Sequence, residues 1–145
     1  MRTLIVGQAP SRSSVGLRAF HPQTRSGKFL AELAGVRDVR RFAHTVNLIG
    51  RFPGKDRWRK GDRFPIGRAK RAAARLELSG FKRVVLVGRY VAKAFDQKDR
   101  PFLRWFPLDD AKAVIIPHPS GVNHWWGKSQ NRRRARRVLR AISKA

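Results

Sequence analysis

The sequence predicts a single α/β domain, a three-layer sandwich with helices on both faces of a parallel sheet. Three observations predict it. Short apolar runs, Leu4 to Val6, Val84 to Val87 and Ala113 to Ile116, read as buried strands. Segments of helical periodicity separate them, and strands that alternate with helices pack in parallel through right-handed crossovers. The first and last runs also stop abruptly. Thr3-Leu4-Ile5-Val6 enters Gly7-Gln8-Ala9-Pro10-Ser11, and Ala113-Val114-Ile115-Ile116 enters Pro117-His118-Pro119-Ser120-Gly121. Proline removes a backbone donor and glycine permits a tight turn, so neither loop extends its strand. Both loops then fall at the carboxyl edge of the sheet, where open α/β folds bind ligands.

After the first strand, a polar loop runs from Gln8 to about Ser26. Phe29, Leu30, Leu33 and Ala34 recur at helical spacing, and Gly35 closes that helix. Phe42 to Leu48 reads as the second strand. Pro53, Gly54, Gly61 and Pro65 make the Arg-rich stretch from Gly50 to Pro65 a loop. Ile66 to Leu78 reads as helical, with the alanines, Leu76 and Leu78 packed and Arg68, Lys70, Arg71 and Arg75 in water; Ser79-Gly80 ends it. Val84 to Val87 is the third strand, and Tyr90 to Phe95 a short helix. Pro101 to Asp110 reads as an aromatic-rich loop before the fourth strand, Ala113 to Ile116. The last helix starts near Ser129. Its stripe is Ala135, Val138, Leu139 and Ile142, with Arg133, Arg136, Arg137, Arg140 and Lys144 opposite. No repeat or low-complexity linker divides the 145 residues, so one domain over 1–145 is expected.

Composition narrows the function. Thirty-four Lys and Arg against nine Asp and Glu give a formal charge of +25. Such an excess repels itself in a compact fold and calls for a polyanionic partner, with nucleic acid first and an anionic membrane surface second. Four tryptophans and nine phenylalanines among the arginines suit stacking on bases. The absence of cysteine excludes disulfides, thiol catalysis and iron–sulfur clusters. No apolar run approaches bilayer length and no signal-peptide pattern opens the chain. The expectation is a monomer without metal or cofactor, cytoplasmic or nucleoid-associated, that binds double- or single-stranded DNA.

Gly7-Gln8-Ala9-Pro10 and His118-Pro119-Ser120-Gly121 resemble the two signature loops of the uracil-DNA glycosylase superfamily. Three landmarks agree in order: Ala19-Phe20 followed by Ser26-Gly27 and Leu30, then Asn47, then Val84 to Gly88. The resemblance spans nearly the whole chain and implies a four-stranded parallel sheet ordered 2-1-3-4. It also implies roles. Phe20 stacks on a base flipped out of the helix, and Asn47 reads the pyrimidine edge, its amide oxygen and NH₂ matching N3–H and O4 of uracil but not cytosine. Gly7, Ala9 and Pro10 wall the base pocket. His118 donates to the base O2 as negative charge arrives there, an interaction stronger in the transition state than in the ground state.

One departure matters. Well-known relatives carry Asp or Asn before the proline of the first loop, or Glu after its glycine, where this chain has Ala9 and Gln8. No carboxylate lies between Met1 and Glu32, so Gln8 is left to hold the attacking water by hydrogen bonding. The lack of cysteine separates the chain from the iron–sulfur branch, whose first loop it otherwise resembles. Candidate DNA contacts are Ser11, Ser120 and Gly121 at phosphates, with Arg57 and Arg59 around Trp58, and Arg133 on the last helix. Asn123, Trp125 and Trp126 stand where relatives insert a wedge. The expected activity is monofunctional DNA glycosylase action on uracil or a related modified or mismatched pyrimidine. The alternatives are a glycosylase-fold module that binds DNA or a modified base without cleaving it, and a structural or ribonucleoprotein role.

Overall fold

The computed structural model describes residues 2–58, 61–119 and 123–145. Its strands are β1 (Thr3–Gly7), β2 (His44–Asn47), β3 (Arg83–Val87), β4 (Phe106–Leu108) and β5 (Ala111–Ile116). Its helices are α1 (Arg25–Ala34), α2 (Ile66–Arg75), α3 (Arg89–Ala94) and α4 (Ser129–Lys144). The strands form one mixed sheet in the order β2-β1-β3-β5-β4. The four expected strands pair in parallel, Gly7 opposite Asn47 and Val87 opposite Ile116.

The expected four-stranded, all-parallel sheet is corrected by β4, which pairs antiparallel with β5 at the edge. This strand lies inside the stretch read as a loop. Phe106 and Leu108 point into the core while Pro107 faces out, the alternation of a half-buried strand. Proline is tolerated there because an edge strand has a side with no ladder to break. Asp109, at φ 50°, turns the hairpin in the left-handed region that Asp adopts more readily than most residues.

Successive residues of a strand point to opposite faces, which divides the core in two. Leu4, Val6, Val84, Leu86, Ala113 and Ile115 pack with α2 and α3. Ile5, Val85, Val87, Val114 and Ile116 pack with α1 and with Ala135, Leu139 and Ile142 of α4. Two of the boundaries that differ from expectation have a clear local cause. Strand β2 starts at His44, because a 3₁₀ turn at Val39–Arg41 occupies the residues before it. Helix α2 ends at Arg75, where Leu76 turns extended (ψ 126°) and Leu78 reaches the core from outside the helix. Among the described residues, no helix is long and apolar enough to cross a membrane.

Candidate functional site

The carboxyl ends of β1, β2, β3 and β5 lie on one edge, as parallel pairing requires. Ladder bonds continue past the strands: Leu48 N–H donates to Gly7 O (3.0 Å) and Ile49 N–H to Gln8 O (2.9 Å). Gly88 N–H donates to Ile116 O (2.7 Å), which ties the loop after β3 to the start of the His118 loop. Two groups of sequence-predicted residues converge here, on either side of the first loop.

The first group is Gly7, Phe20 and Asn47. A Cβ at Gly7 would stand 2.5 Å from Asn47 Oδ1 and 2.9 Å from Cε2 and Cζ of Phe20, so only glycine leaves room for both. Phe20 is 5% exposed and sits at φ 57°, a left-handed conformation that persists only when packing imposes it. Its backbone is clamped on α1, where a Cβ at Gly27 would lie 2.6 Å from Phe20 O and 2.1 Å from His21 O. Thr24 caps that helix, its Oγ1 accepting from Gly27 N–H at 3.0 Å.

The second group is Gln8 and His118, which meet over Gly88. A Cβ at Gly88 would lie 3.1 Å from Gln8 Nε2 and 3.3 Å from His118 Cβ. Gln8, Ala9 and His118 line a cleft of about 560 Å³ together with Asp62, Tyr90 and Phe102, and Arg25, Arg63 and Arg89 make its rim cationic. Burial pushes the His118 imidazole below its ordinary 6.5, opposed by the negative charge of Asp62. The neutral form of the ring is therefore the favoured one. Arg89 donates to the carbonyls of Lys98 and Arg100 and lays its guanidinium 3.9 Å from the centre of the Phe102 ring. Burial lowers its pKa from the usual arginine range.

The His118 loop is anchored from behind. Asn123 Nδ2 and Trp126 Nε1 both donate to the His118 carbonyl at 2.9 Å. Trp126 is 7% exposed and packs edge-on against Phe29 and Trp125, each at 4.7 Å. Trp125 is half-buried, edge-on to Phe102 at 6.0 Å. Of these three residues, read from sequence as DNA contacts, Asn123 and Trp126 hold the His118 carbonyl, Asn123 also lines the cleft, and Trp125 packs between Trp126 and Phe102.

The remaining candidates are dispersed. Asn47 lines a separate cleft of about 490 Å³ with Pro10, Ala19 and Thr45, and Phe20 lines neither cleft. Ser11 is exposed, with its hydroxyl 2.9 Å from that of Ser14. Arg57 is exposed, and Arg133 heads a cationic groove along α4 with Arg136, Arg137, Arg140 and Lys144. Arg59, Ser120 and Gly121 lie outside the described residues. Sequence reasoning missed Asp62, Tyr90 and Phe102. The available signal was the Gly54 and Gly61 pair, which brackets a hairpin that brings Asp62 back to the cleft.

Compared with known proteins, the chain matches no protein-family model and none of the curated proteins.

Proposed function

We propose that the protein is a monofunctional DNA glycosylase that hydrolyses the N-glycosidic bond of uracil or a related pyrimidine. One observation carries the reading: a half-buried imidazole, His118, whose neutral form is favoured by desolvation, faces a cationic cleft beside Gln8 at the carboxyl edge of the sheet. As the bond from N1 to C1′ breaks, its electron pair moves onto the base and gathers at O2. A neutral imidazole N–H donates there without placing a cation in the empty site, and a donor fixed beforehand needs no reorganisation as charge develops. Tyr90 and Phe102 offer aromatic faces to a flipped base, a role the resemblance gave to Phe20.

Water must then attack C1′ and lose a proton. The first loop has no carboxylate, but Asp62 lines the same cleft and is the acidic residue there that can accept it. Gln8 orients the water through its amide. No lysine lines the cleft among the described residues, so Schiff-base chemistry and strand cleavage are not expected.

Oligonucleotides bearing uracil, 5-hydroxymethyluracil or a mismatched thymine test the reading. Strand scission should follow only after alkali, the mark of an abasic site. Intact strands for every lesion would refute glycosylase action. A second reading is favoured by the position of Asn47 and Phe20 outside the His118 cleft: a module that binds DNA or a modified base without cleaving it. Lesion-selective binding without base release would establish it.

A further inference from the structure

The stretch between β2 and α2 holds a structured finger. Arg63 N–H donates to Gly54 O (2.8 Å), Asp56 N–H donates to Gly61 O (3.1 Å), and Lys55 bridges to Asp62 in antiparallel register. These bonds form a hairpin whose base, Gly61 to Arg63, lines the His118 cleft. Toward its tip stands Trp58, 89% exposed, the most exposed of the large hydrophobic side chains among the described residues. Its backbone N–H donates to Asp56 Oδ1 at 2.8 Å, which fixes the local turn while the indole faces water. Arg57 precedes it, and Arg59 and Lys60 follow in sequence.

We propose that Trp58 is a nucleobase-stacking residue: with DNA across the cleft, its indole stacks on a base next to the nucleotide held at His118. The placement of DNA rests on the glycosylase reading; the stacking itself does not require cleavage. Trp58 stands four positions before Asp62, so their Cα atoms lie within about 13 Å of each other. That distance reaches the bases flanking an extruded nucleotide. The flanking cations bring the phosphates in, and the aromatic face then recovers stacking that extrusion removes. A protein partner fits less well, because the sequence from Arg57 to Arg63 carries four cations and one acid, a balance suited to phosphates. The two tryptophans at the position expected of a wedge are packed against the core, whereas Trp58, at 89% exposure, presents far more ring to solvent than Tyr90 in the cleft wall at 39%.

The test uses duplex DNA carrying one uracil with 2-aminopurine beside it. Trp58→Ala should bind roughly 5- to 150-fold more weakly, the loss expected for one stacked base. Its log–log salt slope should stay at the wild-type value, because stacking releases no counterions. Arg57→Ala should instead lower the slope by about 0.9. Trp58→Phe should bind within about threefold of wild type, since a smaller ring still stacks, yet lose most of the DNA-induced tryptophan quenching. Bound to the alanine variant, the 2-aminopurine should emit more strongly than when bound to wild type, because no indole then stacks on it to quench it. Wild-type affinity in Trp58→Ala, or a reduced salt slope, would overturn the proposal. Absence of base release with these binding effects intact would remove the glycosylase reading and leave the stacking residue standing.

Discussion

Replacing Gly7 by alanine tests whether the first signature loop is built around close approach rather than turn geometry. The φ of Gly7 is not left-handed, so alanine is conformationally acceptable there. With open space the substitution would stabilise the fold by about 0.4–1 kcal/mol through the unfolded chain. Space is what the site lacks. The new Cβ would meet the Phe20 ring at 2.9 Å, and the ring must retreat by roughly 0.6 Å to reach ordinary carbon contact near 3.5 Å. Asn47 Oδ1 ends a side chain and can rotate away. Phe20 cannot, because it is buried among Ile5, Leu30, Val87 and Ile116. Overpacking of this kind costs about 1–3 kcal/mol. The centres of the two ranges leave a net loss of about 1.3 kcal/mol, a fall in Tm of roughly 4–5 °C for a domain of this size. Scanning calorimetry at fixed pH reads it directly. An unchanged or raised Tm would show that Phe20 and Asn47 yield freely, and the rigid first group would have to be abandoned.

The other predictions concern the cleft and the charge. His118→Ala should lower the single-turnover rate of base release about 100- to 1,000-fold with DNA affinity within a few-fold of wild type. The same variant should change stability against pH. Because the folded imidazole binds its proton below 6.5, the unfolded chain protonates first, so this contribution is fully present above about pH 6.5 and lost as the pH falls. Denaturant titrations should show a smaller acid-side loss in the variant. Asp62→Asn should slow base release about 100-fold or more while DNA binds as tightly or more tightly, because a negative charge leaves the cleft; Asp62→Glu should recover part of the rate. Removing Arg133, Arg136, Arg137 and Arg140 together should reduce the salt slope on duplex DNA by about 0.9 for every phosphate these arginines neutralise, and an unchanged slope would show these cations are only solvated.

The parts of the fold legible in sequence are those where one element reports on itself. The apolar runs at β1, β3 and β5 need no partner to be recognised, and the α4 stripe buries Ala135, Leu139 and Ile142 as its spacing predicts. Strand β4 was not legible, because three residues centred on a proline look like a loop until β5 supplies the ladder. Helix α2 reads as longer than it is, since Leu76 and Leu78 keep apolar character after the backbone turns extended. The site divides in the same way. His118 was legible because two prolines and an abrupt strand end mark its loop locally. Asp62 was not, since it stands 56 residues away in sequence, within a run of cations that reads as solvated. Trp126 shows the limit from the other side. An indole is equally suited to a wedge or to a core, and only the His118 carbonyl at 2.9 Å decides between them.

The arrangement has one mechanical consequence. Gly7 and Gln8 are adjacent residues, yet each belongs to a different packed group: Gly7 lies under Asn47 and Phe20, while Gln8 meets His118 over Gly88. Gln8 is also held from β2's side by the bond from Ile49 N–H to its carbonyl. The peptide between them therefore cannot shift toward one group without moving against the other, since packed interiors transmit displacement rather than absorb it. A ligand bound at Asn47 would be felt as a change in where Gln8 places its amide beside His118. The two packed groups are thus joined by a rigid two-residue step, with glycine at its first position because no other residue leaves room for Asn47 and Phe20 beside it.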